Sequence, residues 1–303
     1  MEVKPNGTVA TGAYDDQDRL LTYGDYTFTY TANGEFVFQC QGSACQHFAY
    51  DVFGNLRHVI LDSGIEIEYL IDGKNRRIGK KINGTLVQGF VYDDQLRIVA
   101  ELDGQNHVVS RFIYADHINV PEIIEKGGRT YRILHDHLGS PRLVIDTQTG
   151  EIAQELAYDA WGNVVYDSNP GFQPFGFAGG LYDPHTRLVR FGARDYDPQV
   201  GRWTSKDPAG ASRVQGQMYV YASASPMHFV DPSGKWNCPY WLCGGGSVEN
   251  DCSCAVIVFA MGPPARCEIV APGTTSSGGV DWDFVVLPDG VVWKIGPGEL
   301  DLG

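Results

Sequence analysis

The amino-acid sequence predicts an all-β protein: a curved sheet of stacked hairpins, ending in a turn-rich segment and followed by a small, separate C-terminal region. Three observations carry this expectation. A tyrosine opens a loosely similar unit at residues 14, 30, 50, 69, 92, 114 and 158, with gaps of 16, 20, 19, 23, 22 and 44 residues. Four Asp-Pro pairs crowd into residues 182–236. The 303 residues also combine 37 glycines and 16 prolines with 12% aromatics, so turn formers and sheet formers are both abundant.

The unit is clearest at residues 50–57, Tyr-Asp-Val-Phe-Gly-Asn-Leu-Arg, followed by an alternating stretch up to Tyr69. Strand side chains repeat every two residues, so Ile65, Ile67 and Tyr69 are expected on one buried face. A period near twenty residues describes hairpins that bury their apolar faces only by stacking on neighbours. In each unit the tyrosine is read as a packing residue with its hydroxyl at the wet edge, and the aspartate as the residue that closes the turn. A sugar-contacting platform built from the same aromatics is the rival reading.

Residues 134–142, Leu-His-Asp-His-Leu-Gly-Ser-Pro-Arg, hold two histidines flanking Asp136. On a strand the histidines face away from Asp136, so the expectation is a polar hairpin face turning at Gly139-Ser140-Pro141 and no metal site. Tyr158 to Val164 is the last full unit, and residues 174–180 lead into the Asp-Pro segment.

That segment carries Asp183-Pro184, Asp197-Pro198, Asp207-Pro208 and Asp231-Pro232. Proline fixes φ and lacks a donor, while the aspartate accepts bonds from nearby amides, so each pair marks a tight turn. Asp207-Pro-Ala-Gly210 and Asp231-Pro-Ser-Gly234 repeat one signature, Asp-Pro-x-Gly, around a Tyr219-x-Tyr221 run.

The spacing of Arg194, Asp195-Tyr196-Asp197-Pro198, Gly201-Arg202-Trp203, Ser205, Gly216, Pro226 and the two Asp-Pro-x-Gly elements resembles the RHS repeat-associated core of Rhs and Tc-toxin shell proteins. The tyrosine units resemble YD repeats, shared with teneurin-like shells, with Gly54-Asn55-Leu56 and Gly162-Asn163-Val164 standing for the family's Gly-Arg-Leu. The resemblance implies YD-repeat hairpins over 1–133, the RHS core over 134–234 and a variable Cys/Gly-rich tip over 235–303. It also implies a fragment of a β-shell, since eight or so units are too few to enclose a cargo.

By the same resemblance, Asp207 and Asp231 form an aspartyl-type autoprotease pair supported by Arg194, cutting once within Gly234, Lys235 and Trp236. Two close carboxylates share a proton, so one serves as base and the other as acid. Departures from the family are Gln217 before the Tyr-x-Tyr run, Ala224-Ser225 before Pro226, and Lys235 where leucine is usual. The competing reading makes both aspartates turn formers and Arg194 their hydrogen-bond partner.

Charge and cysteines bound the rest. The net charge is −14, which disfavours nucleic acid as a partner. No run of eighteen apolar residues suggests a membrane span, and the N-terminus lacks a Sec-type apolar segment. The expected location is secreted or cell-surface by a non-Sec route, and cytoplasmic before delivery. The expected partners are the chain's own tip as cargo, a larger shell or secretion-system protein, and an immunity protein. No cofactor is expected.

Of seven cysteines, Cys40 and Cys45 form one group, and Cys238, Cys243, Cys252, Cys254 and Cys267 crowd the tip. Their spacings do not match paired Cys-x2-Cys zinc ligands; disulfides are the expectation for at least two of the five tip cysteines. The tip also holds no histidine, which disfavours His-dependent nucleases and hydrolases there. Residues 285–295 read as a hairpin turning at Pro288-Asp289-Gly290. The alternative to the toxin-shell reading is a non-catalytic YD-repeat protein of surface adhesion or carbohydrate contact.

Overall fold

In the computed structural model, residues 11–115, 119–207 and 217–235 are described in full, and several short strands elsewhere by their backbone alone. The fold is nearly all β. Sixteen strands, from Gly12–Tyr14 to Val164–Asp167, form one antiparallel sheet in chain order, each paired with its sequence neighbours. The sheet runs without a break across residue 134. It is not closed, because its first and last strands each pair on one side only.

Every second turn lies on the same rim, and on that rim the tyrosine units turn. The aspartate does what the sequence indicates. Asp51 Oδ1 accepts from the amides of Phe53 and Asn55 at 2.9 and 3.0 Å, while the Gly54 amide donates back to the Asp51 carbonyl. The same carboxylate clasp recurs at Asp15, Asp72, Asp136 and Asp159. The fourth turn residue needs a left-handed backbone, so it is glycine at Gly54 and asparagine at Asn75. His135 therefore precedes, and His137 lies within, another aspartate-clasped turn, 136–140, which starts three residues before the turn expected at 139–141.

Except at Tyr14, which is half exposed, the tyrosine hydroxyls are not at a wet edge. Tyr30 accepts from the Leu20 amide and donates to the Leu20 carbonyl. Tyr114 does the same to Ile98, and Tyr92 donates to the Arg77 carbonyl. Each target is the first residue after the preceding aspartate turn, where the ladder is interrupted and leaves backbone groups in need of partners. Burial pushes the Tyr92 hydroxyl up to about 12. Arginines at the ends of these turns lie over the next tyrosine ring, Arg76 over Tyr92 at 5.0 Å and Arg97 over Tyr114 at 5.6 Å. Adjacent turns are thus fastened by ring, hydroxyl and guanidinium together.

Residues 172–207 and 217–235 fold into a cap over this rim, around a small four-stranded sheet (Leu181–Tyr182, Val189–Phe191, Arg194–Asp197, Arg202–Trp203). The Met218–Tyr221 run forms no strand; it joins by a single bridge, Arg202 to Val220. Turns along the whole rim meet the cap. Asn163 reaches the Pro198 carbonyl, Asn119 reaches Ala178, Asn55 meets Arg190, Gly34 meets Tyr219, and Asp18 meets Arg202 and Met218. Pro198 and Arg202 belong to one hairpin of the cap, yet they touch the last and first turns of the rim. A flat sheet of sixteen strands spaced about 4.8 Å apart would separate those turns by about 70 Å. The sheet therefore curls around the cap.

Three apolar clusters fasten the cap. One joins Phe36, Phe48, Leu56, Val59, Ile67 and Tyr69 of the sheet to Leu188 of the cap, with Ile65 packed against it. A second joins Phe112, Ile124 and Val144 to Phe175 and Leu181. The third is mostly the cap's own: Phe177, Phe191, Tyr196, Trp203 and Tyr221. Each fully buried aromatic or aliphatic side chain contributes about 1.5–3 kcal/mol.

At the end of the cap, Phe229–Val230 pairs with Cys238–Pro239. Four further strands, Val256–Ala260, Arg266–Val270, Phe284–Val286 and Val292–Lys294, pair only with one another. The last two are the hairpin read at 285–295. Its turn residues lie outside the described residues, as do the side chains of the five tip cysteines. Cys40 and Cys45 form a disulfide across a hairpin end. Among the described residues no helix is long and apolar enough to cross a membrane.

Candidate functional site

The cap brings Arg194, Asp207 and Asp231 together. Arg194 sits on a cap strand, Asp207 just after the Arg202–Trp203 strand, and Asp231 directly after Phe229–Val230. One guanidinium nitrogen, Arg194 Nη2, lies 3.1 Å from Asp207 Oδ2 and 3.3 Å from Asp231 Oδ2. Burial draws the Arg194 guanidinium below its ordinary value, against the opposing pull of Asp231 and Asp207. The two acids differ in setting: the Asp231 side chain is 2% exposed and that of Asp207 is 20% exposed. Asp207 is the one that meets solvent.

The expected cleavage region begins at this cluster. Arg194 Nε donates to the Gly234 carbonyl, and Asp231 Oδ1 accepts from the Lys235 amide at 3.1 Å. The peptide group joining Gly234 to Lys235 is thus held at both its polar atoms. Trp236, the third residue of the expected region, lies outside the described residues. Gly234 has φ +65°, and a Cβ there would meet the Phe191 carbonyl at 2.2 Å. Across the same contact Gly192 has φ +40°, and the Ala193 amide donates to the Ser233 carbonyl. Two glycines let the second Asp-Pro-x-Gly loop press against the Phe191–Arg194 turn.

Sequence reasoning did not assign Trp203 a part in this site, although Gly201-Arg202-Trp203 stood out. The Arg194 guanidinium lies 4.2 Å from its ring centroid, which helps hold the cation in place. Nor did it show that residues 231–235 copy the repeat turn. Asp231 clasps the amide four residues on, and the Gly234 amide returns to the Asp231 carbonyl, as at Asp51–Asn55.

A second buried cluster locks cap to sheet. Lys80 Nζ lies 2.8 Å from Asp183 Oδ1, and the Tyr69 hydroxyl donates to Asp183 Oδ2 at 2.6 Å. Burial works to raise the Asp183 carboxyl, but His185, Lys80 and Tyr69 hold it well below the usual range. Arg77 and Arg190 each donate to one oxygen of Asp195 at 2.8 Å. Asp197, by contrast, is pushed up to about 6 by burial; the Gln199 amide serves Oδ1, and Oδ2 is buried without a partner.

Comparison with known proteins gives the lineage. The Teneurin YD-shell family model matches residues 4–227. The chain is 36% identical over 226 residues to teneurin-3 of Danio rerio, covering 71% of this chain and 8% of that protein. It is 32% identical over 227 residues to teneurin-4 of Mus musculus, with the same coverage. It is 26% identical over 236 residues to the tRNA3(Ser)-specific nuclease WapA of Bacillus spizizenii, covering 76% of this chain and 9% of that one. Among solved structures, that of TcdB2-TccC3 aligns with a TM-score of 0.47 at 18% identity, over 69% of this chain and 13% of that one. The chain thus spans under a tenth of the length of these curated relatives. With the family model matched over most of its residues, this chain belongs to the teneurin YD-shell family.

Proposed function

We propose that the chain is the C-terminal part of a YD-repeat toxin-delivery shell that cuts its own backbone to free the tip, residues 235–303. The observation that supports this reading is the double hold on one peptide group: Arg194 on the Gly234 carbonyl and Asp231 on the Lys235 amide. In the proposed reaction Asp207, the more exposed acid, takes a proton from water as it attacks the Gly234 carbonyl carbon. Arg194 stabilises the oxygen that becomes negative, and Asp231 in its protonated form delivers a proton to the Lys235 nitrogen as the C–N bond breaks. The shared guanidinium offsets part of the pair's negative charge and fixes both carboxylates. The remainder of the reading goes with it: a bacterial effector used against competing bacteria, exported to the surface or medium, with the tip as cargo and shell, secretion-system and immunity proteins as partners.

Intact mass at neutral pH, for the native chain and for Asp231→Asn, tests the reading. The native chain is expected to release a fragment beginning at Lys235, and the variant none. Release from both, or from neither, rejects it.

A second reading is favoured by the turn at residues 231–235. Its carboxylate clasp is the one that closes the turns at Asp15, Asp51, Asp72, Asp136 and Asp159, and Asp183 and Asp197 also accept from the amide two residues on. On this view Asp231 is structural and the chain is a non-catalytic YD-repeat protein of surface adhesion or carbohydrate contact. An uncut native chain at neutral pH, together with retention on a glycan array, would select it.

A further inference from the structure

Beneath the rim, Arg77 and Arg190 are both almost fully buried and share one carboxylate. Asp195 gives Oδ1 to Arg77 and Oδ2 to Arg190, so a single negative charge faces two guanidinium ions. The remaining bonds of Arg190 go to neutral acceptors, the Asn55 side chain and the Asn75 carbonyl. Arg77 lies 3.6 Å from the centroid of the Tyr69 ring. Lys80 and Asp183, another buried pair, neutralise each other. The Nε–H groups of Arg77 and Arg190 are buried donors without a partner. Burial draws the Arg190 guanidinium below its ordinary value, and Arg77 adds to that against the pull of Asp195.

Both arginines line one cavity of about 30 Å³, which Tyr92, Phe175, Gly179 and Gly180 also border. Arg76 also borders it, engaged with Asp72 at 2.7 Å, and no carboxylate is among its lining residues. A water needs roughly 10–15 Å³ of such space, so there is room for a small ion. Excess positive charge, two unserved donors and a cavity of that size occur together.

We propose that the pair Arg77 and Arg190 binds one small monovalent anion, a halide, between the sheet and the cap. The ion completes the charge balance that Asp195 alone leaves short, and it accepts from donors that would otherwise be buried unmade. Because Arg77 belongs to the sheet and Arg190 to the cap, binding favours the docked arrangement and stabilises the fold by mass action.

Two measurements on the full chain test this. Thermal unfolding is followed at constant ionic strength while chloride replaces gluconate, and crystals are grown with bromide for anomalous scattering. The expected result is a melting temperature that climbs by a few degrees with the logarithm of chloride concentration, and an anomalous peak between the two guanidiniums. Equal melting in both salts overturns the proposal, leaving the cavity to water. So does a chloride-dependent melt with the bromide peak elsewhere, because the ion then acts at another place.

Discussion

Arg202 holds Asp18 from the far end of the fold: its Nη2 donates to the Asp18 carbonyl at 2.7 Å and lies 2.8 Å from the Asp18 carboxylate. The residues are 184 apart in sequence. Asp18 is in the first turn of the rim, and the Arg202 hairpin also touches the last turn through Pro198. This contact is therefore a clasp between the two ends of the curled sheet. Arg202→Ala is expected to raise hydrogen exchange of residues 12–30 while residues 98–160 keep their protection. The change should cost about 1–3 kcal/mol, as for a partly buried charged bond. Uniform loss of protection would mean that the contact does not act on the first hairpins in particular.

The tyrosine hydroxyls separate by partner. Tyr114→Phe leaves the amide and carbonyl of Ile98 unserved and should lower stability by about 1–3 kcal/mol in urea unfolding. Tyr158 carries the same repeat position, but its hydroxyl is buried without a partner. Tyr158→Phe should therefore be neutral or mildly stabilising. Equal losses in the two variants would contradict the assignment.

Asp183 and Asp197 should respond to pH in opposite senses. The folded-state pKa of Asp183 is depressed, so its stabilisation is present above the ordinary carboxylate value and fades as pH falls below it. Asp183→Asn should thus be damaging at pH 7, and progressively less so in acid. Asp197 is raised to about 6, so its ionisation opposes folding as pH rises through that value. Asp197→Asn keeps the Oδ1 acceptor and should gain roughly 1–3 kcal/mol at neutral pH, with no gain below the ordinary carboxylate range. Chemical denaturation at several pH values reads both. A pH-independent difference for either variant would refute its assignment.

Two glycines test the second Asp-Pro-x-Gly loop. Gly150 and Gly234 both have positive φ, but a Cβ at Gly150 meets nothing within 4 Å while one at Gly234 meets backbone at 2.2 Å. Gly150→Ala should cost about 1–2 kcal/mol from left-handed strain alone. Gly234→Ala should cost clearly more and should displace the Lys235 amide from Asp231, abolishing any self-cleavage. Comparable losses would show that the loop shifts freely.

Much of this was readable along the chain because the repeat is local. The Tyr50-Asp51 and Gly54-Asn55 spacing specifies a clasped turn within five residues, and the alternation at Ile65, Ile67 and Tyr69 specifies an inner face. The Asp-Pro-x-Gly pair and Arg194 were equally visible, and the fold places them on one guanidinium. What stayed hidden is non-local. Lys80 and Arg77 sit among strand residues that carry no mark of burial, and their partners Asp183 and Asp195 lie 103 and 118 residues away. The hydroxyl bonds of Tyr30 and Tyr114 were missed for a related reason: a strand pattern shows which face a ring takes, not which interrupted ladder its oxygen serves.

The cap's position at the rim also bears on how the chain acquires its shape. Its fastening bonds close loops of 35 to 200 residues, whereas each sheet hairpin closes over a few. Short loops close first, and a chain leaves the ribosome from its N-terminus. The hairpins therefore assemble while Arg77, Lys80 and the Tyr69 hydroxyl are still hydrated, their carboxylate partners not yet synthesised. Seating Asp183 and Asp195 would then expel that water and curl the sheet, so arrival of the cap is expected to be the slow event of folding.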